Sequence, residues 1–149
     1  MEHLFLGSAL GAVDGRGRVA LPEFVQRNVG RAGGGSLVMT VHESGACIES
    51  YDPAHARSVH ADQVRRRETE RLTPEAYAAE ARRAFGSAEQ LQVPASGKVA
   101  LPPRLRAKAG IGGHVLFVGT GATFEIWLPE TARDSGDVAL RDLADWHLN

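Results

Sequence analysis

Val13-Asp14-Gly15-Arg16-Gly17-Arg18-Val19-Ala20-Leu21-Pro22 decides the fold, because its second half returns eighty residues later as Gly97-Lys98-Val99-Ala100-Leu101-Pro102. Each copy joins a tight glycine turn carrying a cation to a short apolar strand, then to a proline able to open a helix. One supersecondary unit is used twice. The function is expected in what the two turns present.

Outward from the first copy, residues 4–13 read as a strand or two short ones, with Leu4, Leu6, Leu10 and Val13 as the larger apolar positions. Residues 14–17 form the turn and 18–21 the return strand. Pro22 stands at the first helical position with Glu23 beside the positive end of the helix dipole. That helix carries Phe24, Val25 and Val29 and stops at Gly30. A flexible loop over residues 31–36 leads to strands at 37–42 and 47–51 around a turn at 43–45, and Asp52-Pro53 caps a new helix.

The second copy follows the same order: strand 90–93, turn 94–97, return strand 98–101, helix 103–109, and a hairpin of 114–119 with 123–128. Tyr51-Asp52-Pro53 aligns with Trp127-Leu128-Pro129, and Glu49 with Glu125, at an offset of 76 instead of 80. The four extra residues of the first copy are assigned to its glycine-rich loop, where insertions are tolerated. Between the copies, Thr73-Pro74-Glu75 starts a helix whose apolar face is Tyr77, Ala81, Ala84 and Phe85. The last residues predict a terminal helix with Leu140, Leu143 and His147 on one side, of a kind often only partly ordered. The expected divisions are 1–53, first repeat; 54–86, helical connector; 87–130, second repeat; and 131–149, an acidic tail or helix.

Length and composition bound these readings. At 149 residues, 43% hydrophobic and 23% charged, the chain is a soluble globular type whose two small units need a shared core. The net charge of -1 does not advertise a polyanion binder, yet residues 129–149 hold two basic against five acidic side chains. An acidic end thus masks a mildly basic body, and a polyanion would meet a local patch. The lone Cys47 excludes an intrachain disulfide and reads as a small buried hydrophobe in a reducing compartment. The first residues have no basic segment leading into an apolar run, and no stretch approaches membrane-spanning length, so a soluble, unexported chain is expected.

The chemistry-bearing candidates are few. Asp14 and Arg18 flank a two-glycine turn with Arg16 between them, an arrangement that exposes two guanidinium groups while a carboxylate orients one. Guanidinium forks suit phosphate oxygens and the guanine edge in the major groove; the plainer alternative is a surface hairpin with an ordinary salt bridge. Gly97-Lys98 is not a phosphate loop, since Gln92 and Val99 stand where glycine and a hydroxyl residue are required. The six histidines have no partners at ligand spacing, so no metal or other cofactor is expected. No serine sits in a nucleophile elbow and no carboxylate pair stands out, so an enzyme acting on a small-molecule substrate is disfavoured. Arg65, Arg66 and Arg67, followed by Glu68 and Glu70, read as a solvated helix face.

Phe5-x-Gly7, Asp14-x-x-Gly17-Arg18 and Pro22, with Gly97-Lys98, Pro103-x-x-Arg106-x-x-Ala109-Gly110-Ile111, Phe117-Val118-Gly119 and Phe124-Glu125-Ile126-Trp127, together resemble the MraZ family of bacterial transcriptional regulators. The likeness spans residues 3–130. It implies an α+β, β-rich fold: a pseudo-symmetric double AbrB-like swapped-hairpin barrel with covering helices, assembled into homo-oligomeric rings. It also implies a cytoplasmic, nucleoid-associated repressor of its own operon, upstream of division and cell-wall genes, reading short direct repeats in double-stranded DNA.

The family's D-x-x-x-R motif, associated with DNA contact, falls on Asp14 and Arg18, with Arg16 beside them. The second half departs from it: Pro94 takes the aspartate position and Lys98 the arginine position. Lys98 keeps a charge for phosphate, loses the fork and has no carboxylate to hold it. The first turn is therefore expected to read bases, while the second touches backbone or serves structure alone. The rival reading is an AbrB-like oligomeric scaffold or partner-binding module without sequence-specific DNA binding.

Overall fold

In the computed structural model, which describes residues 4–29 and 35–149, the repeat is visible as one path followed twice. The first copy runs through β1 (Ser8–Ala12), β2 (Arg18–Ala20), α1 (Glu23–Gln26), β3 (Ser36–Val41) and β4 (Ile48–Tyr51). α2 (Pro53–Thr69), α3 (Pro74–Ala81) and a π-helical turn, Arg82–Gly86, make the link. The second copy runs through β5 (Glu89–Gln92), β6 (Lys98–Ala100), α4 (Pro103–Lys108), β7 (His114–Gly119) and β8 (Phe124–Trp127), before α5 (Pro129–Arg133) and α6 (Val138–Leu148). The architecture is α+β, built on a large antiparallel sheet.

That sheet runs β1-β7-β8-β4-β3-β5, and β2 with β6 forms a separate two-stranded ribbon. The copies exchange strands: β1 of the first pairs with β7 of the second, and β5 of the second pairs with β3 of the first. A local twofold relates them. At the sheet centre Ile48 faces Ile126, Glu49 faces Glu125 and Ser50 faces Phe124. In the ribbon Arg18 faces Ala100, Val19 faces Val99 and Ala20 faces Lys98. Aligned residues lie on the axis in both places, Glu49 with Glu125 and Val19 with Val99.

The registers also relocate the insertion. Val38 pairs with Tyr51, and Leu116 with Trp127. β3 and β7 therefore align at an offset of 78, while β4 and β8 keep 76. Only two of the four extra residues precede β3; the other two lie in the turn between β3 and β4. A hairpin tip accepts length as readily as a flexible loop, and composition alone favoured the glycines. Residues 30–34, which include Gly30 and most of that glycine-rich loop, lie outside the described residues.

One core serves both copies. Val19, Leu21, Val25, Leu37, Met39 and Ile48 of the first pack with Val99, Leu101, Leu105, Phe117, Phe124 and Ile126 of the second. β7 is buried on both faces, which accounts for its unbroken apolar run. Val115 and Phe117 face this core, while Leu116 and Val118 join Cys47, Trp127, Ala132, Leu140 and Ala144 beneath α5 and α6. Burial raises the Cys47 thiol well above its usual value, so it stays protonated and packs as a hydrophobe.

α6 is docked and does not trail as a loose end: Leu140 is buried, Leu143 packs beside it, and His147 Nε2 lies 2.9 Å from Ser8 Oγ. α2 and α3 begin at their caps, Asp52 accepting from Ala54 N at 2.7 Å and Thr73 from Ala76 N at 3.1 Å. Of the apolar face assigned to α3, only Ala84 is buried; Tyr77 instead carries the Arg67 guanidinium 4.7 Å above its ring. Arg65 pairs with Asp62, and Arg66 with Glu70 and Glu80, as a solvated face would. Among the described residues no helix is long and apolar enough to cross a membrane.

Pro22 is extended, with ψ 162°, so α1 begins one residue later than its sequence suggests and spans four residues. What holds the ribbon is reciprocal: Leu21 N donates to Gly97 O and Leu101 N to Gly17 O, both at 2.9 Å. Gly17 and Gly97 take φ of 77° and 73°. A Cβ at Gly17 would sit 2.8 Å from Arg106 Cζ, and one at Gly97 would sit 2.7 Å from Gln26 Cδ. Gly17→Ala is expected to lower the unfolding free energy by roughly 1–3 kcal/mol through its left-handed backbone. Denaturant titration checks this, and an unchanged midpoint would contradict it.

Candidate nucleic-acid interface

The first turn is made by its aspartate. Asp14 Oδ1 accepts from the backbone N–H groups of Arg16 at 2.9 Å and Arg18 at 3.0 Å. Its main chain closes the same turn, with Gly17 N donating to Asp14 O and Asp14 N to Arg18 O, each at 2.9 Å. The second carboxylate oxygen, Oδ2, holds Arg18 Nε at 3.1 Å and Lys98 Nζ at 3.3 Å. These bonds, the Arg18 N–H foremost, hold the Asp14 carboxyl far below the usual carboxylate range. The carboxylate therefore stays ionised through the weakly acid range, and the turn does not switch with physiological pH.

The sequence places no carboxylate with Lys98, and the structure corrects this. The ribbon register sets Lys98 opposite Ala20, diagonal to Arg18 on the same outward face, so the single aspartate of the first turn serves cations from both copies. The second turn is built differently: Gly97 N donates to Pro94 O at 2.9 Å, and Lys98 N donates to Ser96 Oγ at 3.3 Å. A hydroxyl does there, more weakly, what the carboxylate does in the first.

Arg18 spends its Nε on Asp14 and remains 44% exposed, which leaves its outer fork open to a ligand. Arg16 sits at the exposed tip, and no side-chain partner is found for it among the described residues. Ala20 and Ala100, the neighbours of the two cations on the outward face, are too small to obstruct approach. Thus Asp14, Arg16, Arg18 and Lys98 are brought to one place. A fifth residue, Arg106, lies against Gly17 from α4 and was not singled out as part of the site by the sequence. Its signal was present: Arg106 stands eighty residues after Gln26, and each covers the other copy's turn glycine.

Such a surface suits a polyanion. Positive groups are pre-positioned on a rigid ribbon, and their one carboxylate is consumed inside the turn.

Comparison with known proteins agrees in its own terms. Residues 84–132 match the family model described as "MraZ protein, putative antitoxin-like". A transcriptional regulator MraZ of Alcanivorax borkumensis is 28% identical over 131 residues, which is 88% of this chain and 87% of the relative. Those of Coxiella burnetii and Rickettsia bellii are 32% identical over 138 and 124 residues, spanning 88% and 82% of this chain and 86% and 79% of theirs. With 32% identity to the Coxiella burnetii relative over 88% of this chain and 86% of that one, the chain belongs to the MraZ family.

Proposed function

We propose that the chain is a sequence-specific DNA-binding transcriptional regulator, a repressor of its own operon at the head of division and cell-wall genes. The observation that carries this reading is the cation cluster around Asp14, gathered from both copies onto one open face. The relatives' name, transcriptional regulator, supports it. Arg16 and Arg18 enter the major groove and read guanine edges, while Lys98 contacts phosphate. The sheet and ribbon together form the double AbrB-like swapped-hairpin barrel, a reading supported by the strand exchange.

One subunit offers too few cations for firm binding at cellular salt, so a ring multiplies the contact over short direct repeats. Large apolar side chains left in the open support self-association, Leu6 at 70% and Trp146 at 78% exposure, together with the outer edge of β1, which no strand pairs among the described residues. Such a protein works in the cytoplasm, on the nucleoid.

Electrophoretic retardation of the chain's own upstream DNA at graded salt tests the proposal. Retardation selective for that DNA is expected, and light scattering should give a multiple of the 15.9 kDa chain mass. The second turn, with Pro94 and Ser96 in place of the carboxylate, favours the rival reading of an oligomeric scaffold. A scaffold would assemble and show no selective retardation.

A further inference from the structure

Resting on the DNA-binding reading above, we infer that Arg106 is a phosphate-contacting residue of the first turn, so that one binding site is assembled from both copies. Gly17 has no side chain, and the Arg106 guanidinium occupies the space that a side chain would fill. The group covers the turn that Asp14 closes, and the two oxygens of Asp14 are already taken by Arg16 N, Arg18 N, Arg18 Nε and Lys98 Nζ. Among the described residues no hydrogen bond or ion pair engages the Arg106 side chain, and it is half-buried. A guanidinium seated over a glycine of the turn, with its N–H groups unspent, is placed to receive an oxyanion.

The pseudo-symmetric counterpart marks this arrangement as particular to one turn. Gln26, the residue equivalent to Arg106, covers Gly97 in the same way, but its Nε2 donates to Leu21 O at 2.6 Å. That amide is neutral and spent within the protein. The two copies thus send unlike groups across the axis: the first turn receives Lys98 and Arg106 in addition to its own Arg16 and Arg18, and the second receives only an occupied amide. The ligand is a DNA phosphodiester flanking the bases that Arg16 and Arg18 meet. Arg106 supplies affinity and orientation without sequence preference.

The test compares wild type, Arg106→Gln and Arg106→Lys in the full chain. Fluorescence anisotropy measures binding to a labelled upstream duplex and to a scrambled duplex of equal length at several salt concentrations. Arg106→Gln is expected to weaken binding to both duplexes by about tenfold and to lower the slope of log K against log salt by about 1 per engaged subunit. Arg106→Lys keeps the slope. A purely structural role would shift the thermal midpoint and leave the slope unchanged. An unchanged slope in folded Arg106→Gln overturns the inference, as does a reduced slope in Arg106→Lys; the second result decides the matter should the Gln variant fail to fold. Selective binding by wild type with either of these outcomes removes Arg106 alone, whereas absence of selective binding by wild type removes the DNA-reading function itself.

Discussion

Arg18→Ala abolishes selective retention of the upstream DNA, while Lys98→Ala weakens retention modestly and flattens its salt dependence. The inequality follows from how Asp14 is used. Arg18 gives one nitrogen to the carboxylate and keeps a rigid fork outward, the geometry that discriminates guanine by about 1–3 kcal/mol per bidentate contact. In the ring proposed above, loss of that increment in every subunit would compound, because the subunits would bind as one multivalent ligand. Lys98 brings a point charge on a flexible stem. Removing it costs a phosphate contact and leaves Asp14 less neutralised, without altering which base is read. Anisotropy with matched and scrambled duplexes separates the two effects. Equal losses of selectivity from both variants would sink the asymmetry between the turns.

Phe117→Ala lowers the stability of the molecule by about 3–5 kcal/mol. Phe117 is fully buried in β7, with its ring 6.4 Å from that of Phe124. The strand that carries it pairs with β1 of the other copy, so the cavity opens in the core that both copies share. A fall of roughly 10 °C in the thermal midpoint is expected for a chain of this size. The transition should remain single in circular dichroism, since neither copy has a private core to melt around. Two separated transitions would overturn the shared core.

Much of this was legible in the sequence where periodicity or turn chemistry is local. The doubled glycine turn, the caps at Asp52 and Thr73, the buried Cys47 and the equivalence of Glu49 with Glu125 could all be read from short stretches. The exchange of β1 and β5 could not be read that way and was implied by the family resemblance alone, because alignment of the copies says that two strands are equivalent and is silent about which hairpin each one joins. That choice is made by non-local packing. The same gap hid the Asp14–Lys98 pair and the seat of Arg106, both of which exist only once the copies face each other across the ribbon. The division of the insertion was misplaced for the opposite reason: a conspicuous run of glycines outweighed an ordinary hairpin tip.

The exchanged strands carry a consequence for molecularity. A single copy, cut from its twin, would hold a hairpin lacking its outer strand and a strand lacking its hairpin, so it could complete itself only by meeting a second copy in solution. The connector of α2 and α3 turns that second-order encounter into a first-order closure at fixed high local concentration. Two identical copies meeting in solution must present identical turns; two copies tethered in one chain need not. Tethering is what allows one turn to hold its carboxylate and gather four cations while its twin keeps a proline and a spent amide.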